Sequence, residues 1–177
     1  MSDLLLANII GSKLIEKAEA TLGIRETTPN AGPDVEKFQR YVDGRAVGEP
    51  WCMSWLQFIV GETSHQFGAP NPLVPSELCR RVWNSVPDKY RGPCPAFGWA
   101  VIWKGHCGLV TRLDSKHGTF ETIEGNTNSR GEREGDAVCR KTRLLKGGTG
   151  SFELLGFVDL PAMIRDSIPD QNVKKST

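Results

Sequence analysis

The hydrophobic pattern of the chain changes its period near residue 99, and that change restricts the fold more than any single motif does. Before it, apolar residues recur at the three- and four-residue steps of helices packed on one side. Leu6, Ile9, Ile10, Leu14, Ala18 and Leu22 share one face of a helix over residues 3–22, ended by Gly23. Pro33 opens a second helix carrying Val35, Phe38 and Val42. A third starts after Pro50 and runs to about Gly68, burying Trp55, Leu56, Ile59, Val60 and Phe67. Three prolines between Ala69 and Pro75 enforce an extended connection, and Ser76 is the expected cap of a short helix with Leu78, Val82 and Val86.

Beyond the change, apolar runs are short and bounded by turn residues. Five strands are expected, at Trp99–Trp103, Gly108–Leu113, Thr119–Glu124, Ala137–Leu145 and Phe152–Val158. Short loops such as Asp114–Gly118 imply hairpins, hence antiparallel pairing. Helices first and a sheet second predict an α+β domain over residues 1–160, with a polar, frayed tail over 161–177.

At 177 residues and 38% hydrophobic, the chain suits one domain with one substantial core. A net charge of +1 gives no bulk attraction for nucleic acid or for an anionic membrane. Arg130, Arg133, Arg140, Lys141, Arg143 and Lys146 are interleaved with Glu132, Glu134 and Asp136, which predicts a solvated surface of mixed charge. The five cysteines, at 52, 79, 94, 107 and 139, are odd in number and irregular in spacing, so a reducing compartment is expected. No metal site is expected either. There is no Cys-x-x-Cys, a zinc site from Cys52, Cys107 and His106 lacks a motif, and Asp43 and Glu49 are too few for calcium. Lys13, Glu16 and Lys17 interrupt the first apolar run, so neither a signal peptide nor membrane insertion is expected, and synthesis is placed in the cytoplasm.

Pro50-Trp51-Cys52 sets a cysteine in the first turn of a core helix. Free backbone N–H groups and the helix dipole favour a thiolate there, although most free cysteines are small buried hydrophobes. His65, late in the helix, and His117, in a hairpin loop, suit ordinary surface roles. His106 lies between two glycines at the start of a strand, where an accessible imidazole is expected. Glu124 and Asn126 alternate onto one face of the next strand, and either can orient that ring.

Cysteine, then histidine, then carboxylate or amide is the papain-like order. The motifs resemble those of papain-like peptidoglycan hydrolases of the CHAP type (cysteine, histidine-dependent amidohydrolase/peptidase). The resemblance rests on Pro50-Trp51-Cys52, on Glu124-Gly125-Asn126, and on Gly105-His106-Cys107-Gly108-Leu109-Val110, which is similar to the family's Gly-His-Val-Gly-Ile-Val. It covers roughly residues 15–160. Phe97-Gly98-Trp99 departs from the family's Pro-Gly-Asp, and Met53 stands where a small residue is common.

The resemblance implies a papain-like fold with Cys52 as nucleophile, His106 as base, Glu124 as orienting group and Asn126 assisting. It implies no cofactor and a cell-wall substrate, cut as an amidase or endopeptidase cuts it. The setting it implies is a phage-type endolysin, a virion-associated lysin or an injected effector, reaching the wall after release. The partners would be a holin, a secretion machine or an immunity protein, and the chain would be a monomer. Trp51 and Trp103, with Trp99, are candidates for a substrate groove and equally for the core. Two alternatives stand beside this reading: an amidase for a small soluble amide such as a glutathione–polyamine conjugate, and a non-catalytic thiol-redox or binding protein.

Overall fold

A computed structural model describes residues 2–128, 135–145 and 148–169. The chain is α+β, with an open antiparallel sheet and helices gathered mainly in its first half. Helix α1 (Asp3–Glu19) is capped by the Ser2 hydroxyl, which accepts from the Leu5 N–H. Helix α2 (Pro33–Asp43) opens on a proline and closes at Gly44, whose φ of 83° is the left-handed stop glycine favours. Helix α3 (Cys52–Gln66) and the short α4 (Cys79–Ser85) follow.

The strands are β1 (Arg91–Gly92), β2 (Ala100–Trp103), β3 (Cys107–Asp114), β4 (Thr119–Thr127), β5 (Ala137–Leu144) and β6 (Leu154–Val158), and α5 (Leu160–Asp166) comes last. Their order across the sheet is β1-β6-β2-β3-β4-β5, with every neighbouring pair antiparallel. Strand β6 therefore returns past β4, β3 and β2 to lie on the far side of β2.

Helix α3 is the axis of the core. Cys52 through Gln57 are all buried, as are Ile59, Val60, Gly61, Thr63 and Ser64. It lies between the sheet, at β3 and β4, and the helices α1 and α2. A helix apolar nearly all round belongs inside, and each of Leu56, Ile59 and Val60 contributes about 1.5–3 kcal/mol by leaving water. Two indoles fix its depth: Trp55 Nε1 donates to Thr21 Oγ1 at 3.0 Å, and Trp51 Nε1 to Glu26 Oε1 at 2.7 Å. Gln57 is buried and donates from Nε2 to the Val74 carbonyl at 2.7 Å and to that of Ser76 at 3.3 Å. Asn71 Nδ2 in turn donates to the carbonyl and the side-chain oxygen of Gln57. One amide thus pins the proline-rich segment to α3.

The expected order of helices and strands holds, with three differences. Strand β1 adds a sixth strand from two residues inside a proline-rich loop, too short to leave a periodic signal. Ser76 caps a turn rather than α4, accepting from the Leu78 N–H at 3.2 Å. The tail expected from residue 161 instead begins as α5. Asp159 caps that helix, Pro161 sits in its first turn, and Leu160, Met163 and Ile164 are buried against α1. Among the described residues no helix is long and apolar enough to cross a membrane.

Candidate active site

Cys52 is the first residue of α3, and the helix opens with no side-chain cap and no carboxylate in its first turn. The free N–H groups and the dipole of that uncapped end favour a thiolate at this position. The side chain is nearly buried, and its exposed edge opens into a groove of about 540 Å³. Glu49, Pro50, Glu77 to Arg81, Asn84, Lys104 and Gly105 line that groove. Arg80 and Arg81 bring cationic side chains to it, while the Lys104 ammonium is paired with Glu153. In the same groove, burial and then the Glu49 carboxylate push Glu77 up to about 7.

His106 occupies the tight turn from β2 to β3, closed by the Trp103 N–H on the His106 carbonyl at 2.9 Å. The expected accessible imidazole is instead fully buried. Its ring stacks on Trp103 at 5.8 Å and meets Phe152 at 5.2 Å. Nε2 lies 2.9 Å from Glu124 Oε2, while the Cys52 sulfur neighbours the ring and interacts with it, and Nδ1 makes no well-aligned hydrogen bond among the described residues. The bond at Nε2 fixes the orientation of the ring and commits Nδ1 to the sulfur side.

Glu124, in β4, is buried completely. Four donors converge on it. Besides His106, Thr122 Oγ1 donates at 2.6 Å, Arg143 Nε donates to Oε1 at 2.8 Å, and Arg143 Nη2 donates to Oε2. Burial alone would raise its pKa, but Arg143 and His106 overcome that and hold it at about 2. The neighbouring strand makes room for this side chain. A Cβ at Gly108 would lie 2.6 Å from Glu124 Cγ, and the pinned carboxylate cannot yield. Gly108→Ala is therefore expected to destabilise the fold by about 1–3 kcal/mol, read as a lower urea midpoint at unchanged slope.

The sulfurs of Cys52, Cys79 and Cys107 lie within 4.8 Å of one another. The Cys107 and Cys79 thiols, as donors, and then the adjacent His106 hold Cys52 well below an ordinary thiol, against the opposing effect of burial. Cys107 is pushed up by burial and by its two sulfur neighbours. For Cys79 the bond with Cys107 lowers the value, and Cys52 with burial outweighs it upwards. His106 is lowered by burial, but Cys52 and Glu124 together raise it to about 9. These directions favour a thiolate on Cys52 beside an imidazolium on His106, with the buried Glu124 carboxylate behind the ring.

Of the residues singled out in the sequence, Cys52, His106 and Glu124 come together. Asn126 lies in the same strand, beside an irregularity between Glu124 and Thr127, with a left-handed φ of 52°. No hydrogen bond joins it to His106, and its buried Oδ1 has no partner among the described residues. Trp51 is packed on Phe38 in the core and Trp103 stands behind His106, so neither lines the groove. His65 is exposed, and His117 pairs with Asp114 in its hairpin loop.

Two residues were missed. Arg143, assigned to a solvated surface, is largely buried and lies over Phe152 and Trp103, while Arg130, Arg133 and Lys146 fall outside the described residues. Cys79 brings the third sulfur from the start of α4. Alternation along β5, which puts Arg143 on the face of Lys141 and Cys139, was a usable signal for the first. Nothing in the sequence marked the second. No family model, no curated protein and no solved structure matches this chain.

Proposed function

We propose that the chain is a cysteine-dependent amidohydrolase with a papain-like arrangement, acting on amide bonds of bacterial peptidoglycan. The observation that carries the reading is the His106 ring, held at Nε2 by buried Glu124 and set beside a groove-facing cysteine that opens a helix. The substrate class comes from the motif resemblance. It is supported by Arg80 and Arg81, which suit the carboxylates of wall peptides.

The Cys52 thiolate attacks the scissile carbonyl, and the carbon–sulfur bond forms as the carbonyl electrons move to oxygen. The uncapped N–H groups of α3 receive that oxyanion, and such donors typically contribute about 3 kcal/mol each. The His106 Nδ1 proton passes to the leaving amine as the carbon–nitrogen bond breaks. Neutral His106 then takes a proton from water, hydroxide adds to the thioester, and Cys52 leaves as thiolate. Glu124 holds the ring in register through both steps.

The test is digestion of purified peptidoglycan with the products identified by mass spectrometry. Soluble fragments bearing a newly freed amine and carboxyl are expected, and their masses name the bond. A folded protein that releases nothing from several wall types, or that acts only on small soluble amides, overturns the substrate assignment.

The pair also sets a pH profile. Thiolate and imidazolium coexist above the lowered Cys52 value and are lost as His106 deprotonates through about 9. The kcat/KM is expected to be level through neutrality and to fall by about tenfold per pH unit beyond that limb. Activity that instead climbs towards pH 9, as an ordinary thiol ionises, would mean that Cys52 is not held as thiolate.

A further inference from the structure

We propose that Cys52, Cys79 and Cys107 form a binding site for a soft divalent metal of the zinc class, ligated by their three sulfurs with a fourth position filled from solvent. The site shares Cys52 with the proposed nucleophile, but it stands whether or not the chain hydrolyses amides.

Two observations carry it. The three sulfurs lie within 4.8 Å of one another, all in buried side chains. Zinc–sulfur bonds of about 2.3 Å place sulfurs about 3.8 Å apart in a tetrahedral site, so a shift of an ångström or less closes the sulfur set. Second, Cys52 and Cys79 both line the groove, which gives an ion a route from solvent and the fourth coordination position a water.

The ligands come from the first residues of three rigid elements, α3, α4 and β3. A lone buried thiol is ordinary packing. Three that converge from separate elements to within 4.8 Å of one another are a ligand set. Binding is a displacement of protons: Cys79 and Cys107 each release one to solvent as the bonds to metal form, and Cys52 enters as thiolate. No electron is transferred. Metal and substrate then compete for the same sulfur.

The experiment uses the full chain, purified with reductant and stripped of metal, titrated with Zn²⁺ against a chromophoric chelator and separately with Co²⁺. One equivalent of each is expected. The Co²⁺ adduct should show the strong near-ultraviolet sulfur-to-cobalt band and the intense visible bands of a four-coordinate site. Cys79→Ser and Cys107→Ser should each remove about a third of the charge-transfer band, one thiolate in three, and weaken Zn²⁺ by about 100-fold or more. Zn²⁺ should also shield Cys52, Cys79 and Cys107 together from alkylation, as mapped by mass spectrometry. A folded wild-type protein that binds no Zn²⁺, or a Co²⁺ adduct without the charge-transfer band, overturns the site without recourse to any variant. So does binding that both serine variants retain at full strength. None of these readouts uses a hydrolysable substrate, so a failure here is distinct from a failure of the hydrolase assignment.

Discussion

Cys52→Ala is expected to slow release of soluble wall fragments by about 10⁴-fold or more, with the protein still folded. Cys52 supplies the sulfur that both opens on the groove and adjoins His106. Without it the groove and the uncapped end of α3 can still hold a substrate. The imidazole, however, has no nucleophile on which to act, and no thioester forms. The side chain removed is small and already touches the groove, so loss of rate should far exceed loss of stability. Single-turnover digestion beside wild type measures the first, and far-ultraviolet circular dichroism with urea unfolding measures the second. Wild-type rates in Cys52→Ala would remove the covalent route altogether.

Arg143→Met is expected to cost about 3–5 kcal/mol of stability, because it strips the main counter-charge from a carboxylate that water cannot reach. Glu124 keeps Thr122 and His106 as partners but loses both guanidinium bonds. Methionine retains the apolar stem that lies over Phe152 and Trp103, so the loss reports charge rather than packing. For a chain of this length the thermal midpoint should fall by about 6–20 °C. Adding Glu124→Gln to Arg143→Met should recover part of that loss, since a neutral amide needs no counter-charge. A single variant as stable as wild type, or a double variant less stable than the single one, contradicts this account of the ion pair.

The sequence showed the succession of elements because helices and strands differ in period, and period survives without any tertiary knowledge. It also exposed Cys52, His106 and Glu124, whose types and order carry chemistry. What it hid was burial and convergence. Glycines around His106 suggested an open imidazole, but Gly108 makes room for Glu124 and Gly105 for Ser151. Arg143 sat in a run of mixed charge and looked solvated; its partner is fixed by register between β4 and β5, which no local pattern specifies. Cys79 had no distinguishing neighbours. Pro161 read as the end of structure, although a proline in the first turn after Asp159 is also how a helix begins, and α5 begins that way.

The Gln57 amide has a mechanical consequence. It lies about one and a half helical turns beyond Cys52 on the same rod, and from there it grips the segment that leads to Glu77, Leu78 and Cys79. Cys52 and the Glu77–Cys79 part of the lining therefore hang from one rigid body, while Lys104 and Gly105, in the turn between β2 and β3, are held by the sheet. The spacing between nucleophile and the Glu77–Cys79 wall is thus set within a single helix.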